Sequence, residues 1–239
     1  MNEIIDGITR AFQLIFSGDP GLYGVVYRSL LFSGVAALLA VLWATPIAML
    51  LGLKNFHGKS LIKGFFNAMI GFPTVALGLL LWLLLSKAGP LGFLGLLYTP
   101  GAIILGEALL VTPLIVSVAT NAIESVDPEM MNLARTSGAS ESQASIAVLK
   151  EAANGLIFSY AAGFNRAIAE LGVALIVGGN LAGFTDVLTT DISDLTSRGE
   201  FSTAIALGII LLVIVFGINL TIVIARNPRV LIMIGRMPQ

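Results

Sequence analysis

Five long apolar runs constrain this chain more than any other feature: 25–53, 61–86, 101–123, 155–179 and 201–225. Each is long enough to cross a bilayer as a helix, which takes about 20 residues. Backbone N–H and C=O groups find no water inside lipid, so a spanning segment must satisfy its own hydrogen bonds, and a helix does so. Only 11% of the 239 residues are charged and the mean hydropathy is +0.95. A water-facing surface uses roughly 25% charged residues, so most of this surface must meet lipid. The pattern predicts an all-α polytopic membrane protein with about five transmembrane helices. No Pro/Ser-rich linker divides it, so residues 1–239 read as a single transmembrane domain.

Breaks between the runs are explicit. Gly18-Asp19-Pro20-Gly21 precedes the first run and Lys87-Ala88-Gly89-Pro90 ends the second. Pro46, Pro73 and Pro113 lie inside runs, which is tolerable where neighbouring helices satisfy the freed carbonyls. Residues 91–97 are too short to cross and read as a surface or re-entrant piece. At the start, Ile4, Ile5, Ile8, Phe12 and Ile15 recur at helical spacing. With Glu3 and Asp6 in place of a basic start, residues 1–17 do not resemble a signal peptide. They predict an amphipathic helix lying on the membrane.

Basic residues set the orientation. Lys54, Lys59 and Lys63 lie between the first two runs, Arg135 and Lys150 between the third and fourth, and Arg226, Arg229 and Arg236 after the fifth. Arg10, Arg28, Lys87 and Arg198 fall on the other side. Eight against four predicts an outside N-terminus and a cytoplasmic C-terminus, with Asp186, Asp191, Asp194 and Glu200 in an outward loop.

Several chemistries drop out. The chain has no cysteine and one histidine, His57, which excludes thiol nucleophiles, disulfides and ordinary zinc sites. His57 lies in a basic cytoplasmic turn and reads as a solvated residue. A net charge of −1 gives no case for nucleic acid. The run from Gly52 to Ser60 resembles a phosphate-binding loop, but five residues separate its glycines where the motif needs four, and it follows an apolar helix rather than a strand. Asn219-Leu220-Thr221 matches a glycosylation acceptor buried in the fifth run.

Between the third and fourth runs lies a polar, helical insert, about residues 127–151. Asp127 suits a helix N-cap, Pro128 the first helical position and Glu129 the positive end of the helix dipole. Gly138 sits where a left-handed residue ends a helix. Ser140-Glu141-Ser142-Gln143 has the form of a capping box that opens a second helix. The insert is predicted to be a helix–glycine–helix elbow in the cytoplasm.

At these residues the chain resembles the type I permeases of binding-protein-dependent ABC importers, whose coupling helix carries Glu-Ala-Ala, three residues, then Gly. Here the run is Asn132-Leu133-Ala134-Arg135-Thr136-Ser137-Gly138-Ala139-Ser140, with Gln143, Val148 and Gly155-Leu156 in family positions downstream. Asn132 and Leu133 depart from the pattern, and so does Lys150-Glu151, where the broader family has Leu-Pro. Gly71-Phe72-Pro73-Thr74-Val75, Lys150-Glu151-Ala152, the run from Arg166 to Gly172, Ile176 to Asn180, Val187 to Thr190, Arg198 to Phe201 and Ala206 to Leu212 are similar to the molybdate/tungstate/sulfate group, most of all its tungstate-type members.

The resemblance implies a permease that passes an oxyanion inward through a homodimeric pathway in the cytoplasmic (inner) membrane. It implies a separate ABC ATPase dimer carrying ATP and magnesium, and an extracytoplasmic binding protein that captures substrate. It also implies no cofactor and no catalysis in this chain. The expected ATPase-coupling residues are Asn132, Leu133, Ala134, Arg135, Gly138, Ala139 and Ser140. An ion-coupled secondary transporter is the alternative, but it leaves the elbow without a purpose and predicts an internal repeat that is not visible. An intramembrane enzyme would need paired catalytic groups that the sequence does not offer.

Arg166 and Glu170, four apart, share one helix face, and Glu107 lies in the third run. Charges at this depth cost about 2.5–3.5 kcal/mol each and should face protein or water. Two readings stand: a structural Arg166–Glu170 pair, or an Arg166 that lines the route of a divalent anion. Asn165 and Asn180 are candidate neutral donors on that route. The outward acids Asp186, Asp191 and Asp194 are candidates for docking the binding protein.

Overall fold

Gly18 takes a left-handed φ of +70°, and Asp19 then caps the first long helix by accepting the Leu22 N–H at 2.8 Å. That helix marks the architecture of the computed structural model, which describes residues 2–226, with side chains from 4 to 221. Ten α-helices follow one another among these residues. They are α1 (Asn2–Ser17), α2 (Pro20–Leu53), α3 (Lys59–Met69), α4 (Thr74–Leu85), α5 (Pro100–Glu124), α6 (Pro128–Thr136), α7 (Glu141–Glu151), α8 (Ala153–Ile168), α9 (Leu188–Ser197) and α10 (Phe201–Arg226). A 3₁₀ turn covers Gly92–Leu94 and a π turn covers Ala174–Gly178. The protein is all-α, as the apolar runs predict. Arg229 and Arg236, used for orientation, lie outside the described residues.

Three of the five runs are continuous helices able to cross a membrane: α2, α5 and α10. The other two are broken, so each of these runs, read from sequence as one helix, consists of two pieces. The second run divides into α3 and α4, bent by 97° across a short break. Pro73 is the cause. It lacks an N–H, forces the residue before it out of helical geometry, and becomes the cap from which α4 restarts. Pro46 and Pro113, by contrast, stay inside α2 and α5.

The fourth run also stops, at Ile168. Sixteen residues of α8 rise about 24 Å, short of the roughly 30 Å hydrocarbon core. The chain then opens at Ala169 to Leu171 and re-coils into the π turn.

Small side chains hold the bundle together. Along α2, Ser29, Ser33, Ala36, Ala40, Ala44 and Ala48 are buried at near-helical repeats. This stripe meets Ala108, Val111 and Ile115 of α5 and Ala167 of α8. Lipid tails are as apolar as leucine, so close backbone approach and van der Waals contact, rather than hydrophobic exclusion, drive such packing. The α4 helix crosses the break after α8 at similarly short range. A Cβ added at Gly172 would stand 2.7 Å from Thr74 Oγ1 and 3.1 Å from the Val75 backbone nitrogen.

The N-terminal helix uses two faces. Ala11 and Leu14 are buried in a cluster with Ala206, Leu207 and Ile210 of α10, and Gly7 lies against Ile205. Ile4, Ile5, Ile8 and Phe12 remain exposed. Amphipathicity is thus present, but α1 spends its small-residue face on α10.

Because backbone atoms of α4 cannot yield as a flexible side-chain tip can, Gly172→Val should lower stability by about 1–3 kcal/mol. Thermal unfolding in detergent should show a clear drop for Gly172→Val. Gly34→Ala, where nothing lies within 4 Å of the added carbon, should unfold like the wild type.

Candidate functional site

Within the membrane, the break after α8 gathers the ionisable groups. Glu170 is 2% exposed, and its two carboxylate oxygens do different work. Oε2 accepts from Arg166 Nη1 at 2.8 Å, while Oε1 accepts the Val173 N–H at 3.0 Å. The second bond is an N-cap: the side chain satisfies a backbone donor three residues on, where the helix restarts. Thr189, from the start of α9, donates its hydroxyl to the Glu170 carbonyl at 2.7 Å. The pair expected from spacing is present, and Glu170 has a further task that spacing did not reveal.

Glu107 of α5 lies close enough to Glu170 to feel its charge, with the Ser33 hydroxyl of α2 as its hydrogen-bonding neighbour. It is 2% exposed, and its Oε2 has no partner among the described residues. Arg166 is half-buried, its side chain 38% exposed. One guanidinium therefore serves a site that holds two buried carboxyl groups.

The two candidate amides are elsewhere. Asn165 donates to Asn219 Oδ1 at 2.7 Å, joining α8 to α10. Asn180 takes a left-handed φ of +48° and bonds Asp191. Neither is bonded to the Arg166–Glu170 pair.

The elbow has the geometry its sequence predicts. Asp127 accepts from the Glu129 N–H, Gly138 adopts φ +87°, and Ser140 and Gln143 form a reciprocal capping box. Arg135 on α6 reaches across the turn to Glu141 on α7 at 2.8 Å. Asn132, Leu133 and Gly138 are exposed at the tip, with Leu133 64% exposed. Ala134 and Ala139 are half-buried, and Ala139 N–H closes the turn on the Ala134 carbonyl at 3.0 Å. Only Ala152 separates α7 from α8, and its φ of −72° and ψ of −5° hold it in the helical region.

The acidic loop needs a correction. Asp186 does not stand on an exposed rim; it is 6% exposed and grips Arg28 of α2 at 2.6 Å. An isolated carboxylate would not enter this interior, but one paired with a guanidinium does. Asp194 pairs with Arg198 at 2.7 Å on the surface. Arg28 and Asp186 lie 158 residues apart, so no local spacing connects them.

Comparison with known proteins agrees with this arrangement. Residues 44–227 match the family described as the binding-protein-dependent transport system inner membrane component. The chain belongs to that family. It is 37% identical over 222 residues to the tungstate uptake system permease protein TupB of Peptoclostridium acidaminophilum, covering 93% of this chain and 97% of that one. It is 38% identical over 203 residues to a probable anion ABC transporter permease protein of Haloferax volcanii, covering 83% and 88%. Its fold is similar to an inward-facing structure of the MetNI methionine ABC transporter, with a TM-score of 0.73 at 16% identity, covering 87% of this chain and 95% of that one.

As an inner membrane component of this family, the chain is the multi-pass permease subunit of an ABC importer and not itself the ATPase. Nucleotide binds the partner ATPase, and a binding-protein-dependent system has an ATPase and a binding protein as partners.

The dual role of Glu170 separates three variants. Glu170→Gln keeps the cap, because its amide oxygen still accepts the Val173 N–H, but its amide nitrogen cannot accept from Arg166, so it should lose about the 1.5–3 kcal/mol of a charge-assisted bond. Arg166→Ala leaves the acid unpaired, and the lost charge-assisted bond costs about 1.5–3 kcal/mol. Combining Arg166→Ala with Glu170→Ala should recover only part of that, since loss of the cap alone costs about 0.5–2 kcal/mol. Thermal unfolding of the four proteins checks the order.

Proposed function

We propose that this permease moves an oxyanion into the cytoplasm, with tungstate as its substrate and molybdate the nearest competitor. The observation that carries the substrate class is end-to-end similarity to a tungstate uptake permease, at 37% identity over 93% of the chain. The oxyanion-type runs around Gly71 to Val75 and Arg166 to Gly172 coincide with the two places where the spans break. Breaks at membrane depth are tolerated where they are buried in protein or line a water-filled route, which suits a passage for a hydrated anion.

The working unit in this reading is a homodimer around a central pathway, with one ABC ATPase under each elbow. Three continuous spans and two broken ones are few for an enclosed route, and two copies supply twice the wall. The N-terminus faces outward and the elbow faces the cytoplasm. Lys59 and Lys63 of α3, both on Glu124 at the end of α5, lie at the elbow end, in keeping with a cytoplasmic excess of lysine and arginine. Arg166 provides a weak, half-occupied attraction for the passing anion. Capture falls to the binding protein, which docks at the α9 end, where Asp191 and Asp194 remain partly accessible. Asp186 contributes there only by holding α9 in place.

Uptake assays in vesicles test the scheme. With ATPase and binding protein present, tungstate should enter faster than molybdate, and sulfate slowest. Full-rate uptake without the binding protein would overturn the importer reading. Mass measurement in nanodiscs should give two permease copies per functional complex.

The elbow makes a sharper prediction. Open space surrounds Gly138, so only its φ of +87° restricts substitution. Asparagine tolerates that region and β-branched residues do not. Gly138→Asn should still bind the ATPase and transport, whereas Gly138→Val should lose ATPase co-purification or transport at least 10-fold.

A further inference from the structure

At the end of the bundle opposite the elbow, α9 is tied to α2 by three bonds. Arg28 Nε donates to the Asp186 carbonyl at 3.1 Å and Arg28 Nη2 to Asp186 Oδ2 at 2.6 Å. The Leu188 N–H, at the start of α9, donates to Ser29 Oγ at 2.8 Å. The other carboxylate oxygen, Asp186 Oδ1, is buried and has no partner among the described residues; Asn180 Oδ1 is in the same position. Beside them, in the first turn of α9, is Asp191.

Asp191 is half-buried, and few charged groups face it. The Asn180 side chain bonds it, and since Asn180 Oδ1 is unpartnered, the amide nitrogen is the donor. Asp186 and Asp194 repel it and Arg28 attracts it. From α10, residues 201–221 bring no ionisable side chain. From α8 and the break after it, the charged groups are Arg166 and Glu170, already paired to each other.

Arg28 thus faces two acids and can neutralise one. We propose that Asp191 is a proton-operated latch: protonated, it lets the Arg28–Asp186 pair clamp α9 onto α2, and ionised, it sits as a partly buried charge against Asp186 and loosens α9. The proton comes from solvent and returns to it.

Burial, then the charge of Asp186, push the Asp191 carboxyl up from its ordinary 3.8 to about 6, against the pull of Asn180 and Arg28. The clamped chain therefore holds this proton more tightly than a loosened or unfolded one. Its stability is greatest in acid and falls as the pH rises from about 4 through about 6. The latch stands on these contacts alone; its effect on binding-protein docking rests on the importer reading above.

Hydrogen exchange on the full chain in nanodiscs reads the latch directly. Between about pH 5 and about pH 7.5, after correction for intrinsic rates, the α9 amides of wild type should lose protection on the order of 10-fold. Asp191→Asn should keep them protected at both values, and Asp186→Asn, which removes the charge that repels Asp191 and leaves Arg28 to it, should weaken the dependence on pH. Equal wild-type protection at the two pH values would overturn the proposal, as would an Asp191→Asn protein that still follows pH. Restored protection by sodium or calcium at the higher pH would also overturn it and give the unpartnered oxygens to a metal instead. Should α9 protection follow pH while binding-protein docking does not, the latch holds and the docking face lies elsewhere.

Discussion

The bond from Val173 N–H to Glu170 Oε1 fixes much else in the molecule. Where α8 stops at membrane depth, several backbone donors and acceptors lose their helical partners, and lipid offers none. An unsatisfied group there costs several kcal/mol. A carboxylate meets the need, but it brings a charge, and that charge requires Arg166 four residues earlier on the same face. Thr189 satisfies the Glu170 carbonyl from α9, so the break also anchors the chain after it. The ion pair is in this sense a consequence of the break. It allows the span to be interrupted where α4 crosses Gly172 at close range.

That interruption lies at one end of a rod made of two consecutive helices. The α7 and α8 helices run from Glu141 to Ile168 with only Ala152 between them. The elbow is at the start of this rod and the Arg166–Glu170 pair at its end. Val148 and Ala152 of the rod pack on Ala48 of α2 and on Ala119 and Ile123 of α5. The opposite end of the bundle is held by Arg28 and Asp186, and the elbow end by Lys59, Lys63 and Glu124. Ion pairs thus mark both ends of the apolar core, where charges are cheapest to place.

What the sequence disclosed follows the range of the forces involved. The elbow was legible almost to the residue, because caps, a Pro at the first helical position and a left-handed glycine all act within four residues. The apolar runs were legible as helices, since hydropathy records the solvent each segment meets. Their interruptions were not: Pro73 and Pro113 look alike in sequence, yet only Pro73, two residues after Gly71, breaks its helix. The Arg166–Glu170 pair was visible through its spacing, but the cap on Val173 was not, because glutamate is an uncommon cap and the run continues apolar beyond it. Asp186 was placed on a surface by the hydrophilic loop around it. Its partner Arg28 lies 158 residues away, and only the packing of α9 on α2 brings the two together.

Charge bookkeeping along the route narrows what the membrane interior can do. Glu107 and Glu170 are both buried, and Arg166, shared with Glu170 and 38% exposed, is the basic residue the break supplies. A site meant to hold a dianion tightly would gather several uncompensated donors, as helix N-termini and arginine clusters do. Here the backbone donor at Val173 is already taken by Glu170, and the amides of Asn165 and Asn180 are engaged with Asn219 and Asp191. The interior is therefore poor in free donors and rich in acid. Such an interior does not offer a tight anion site.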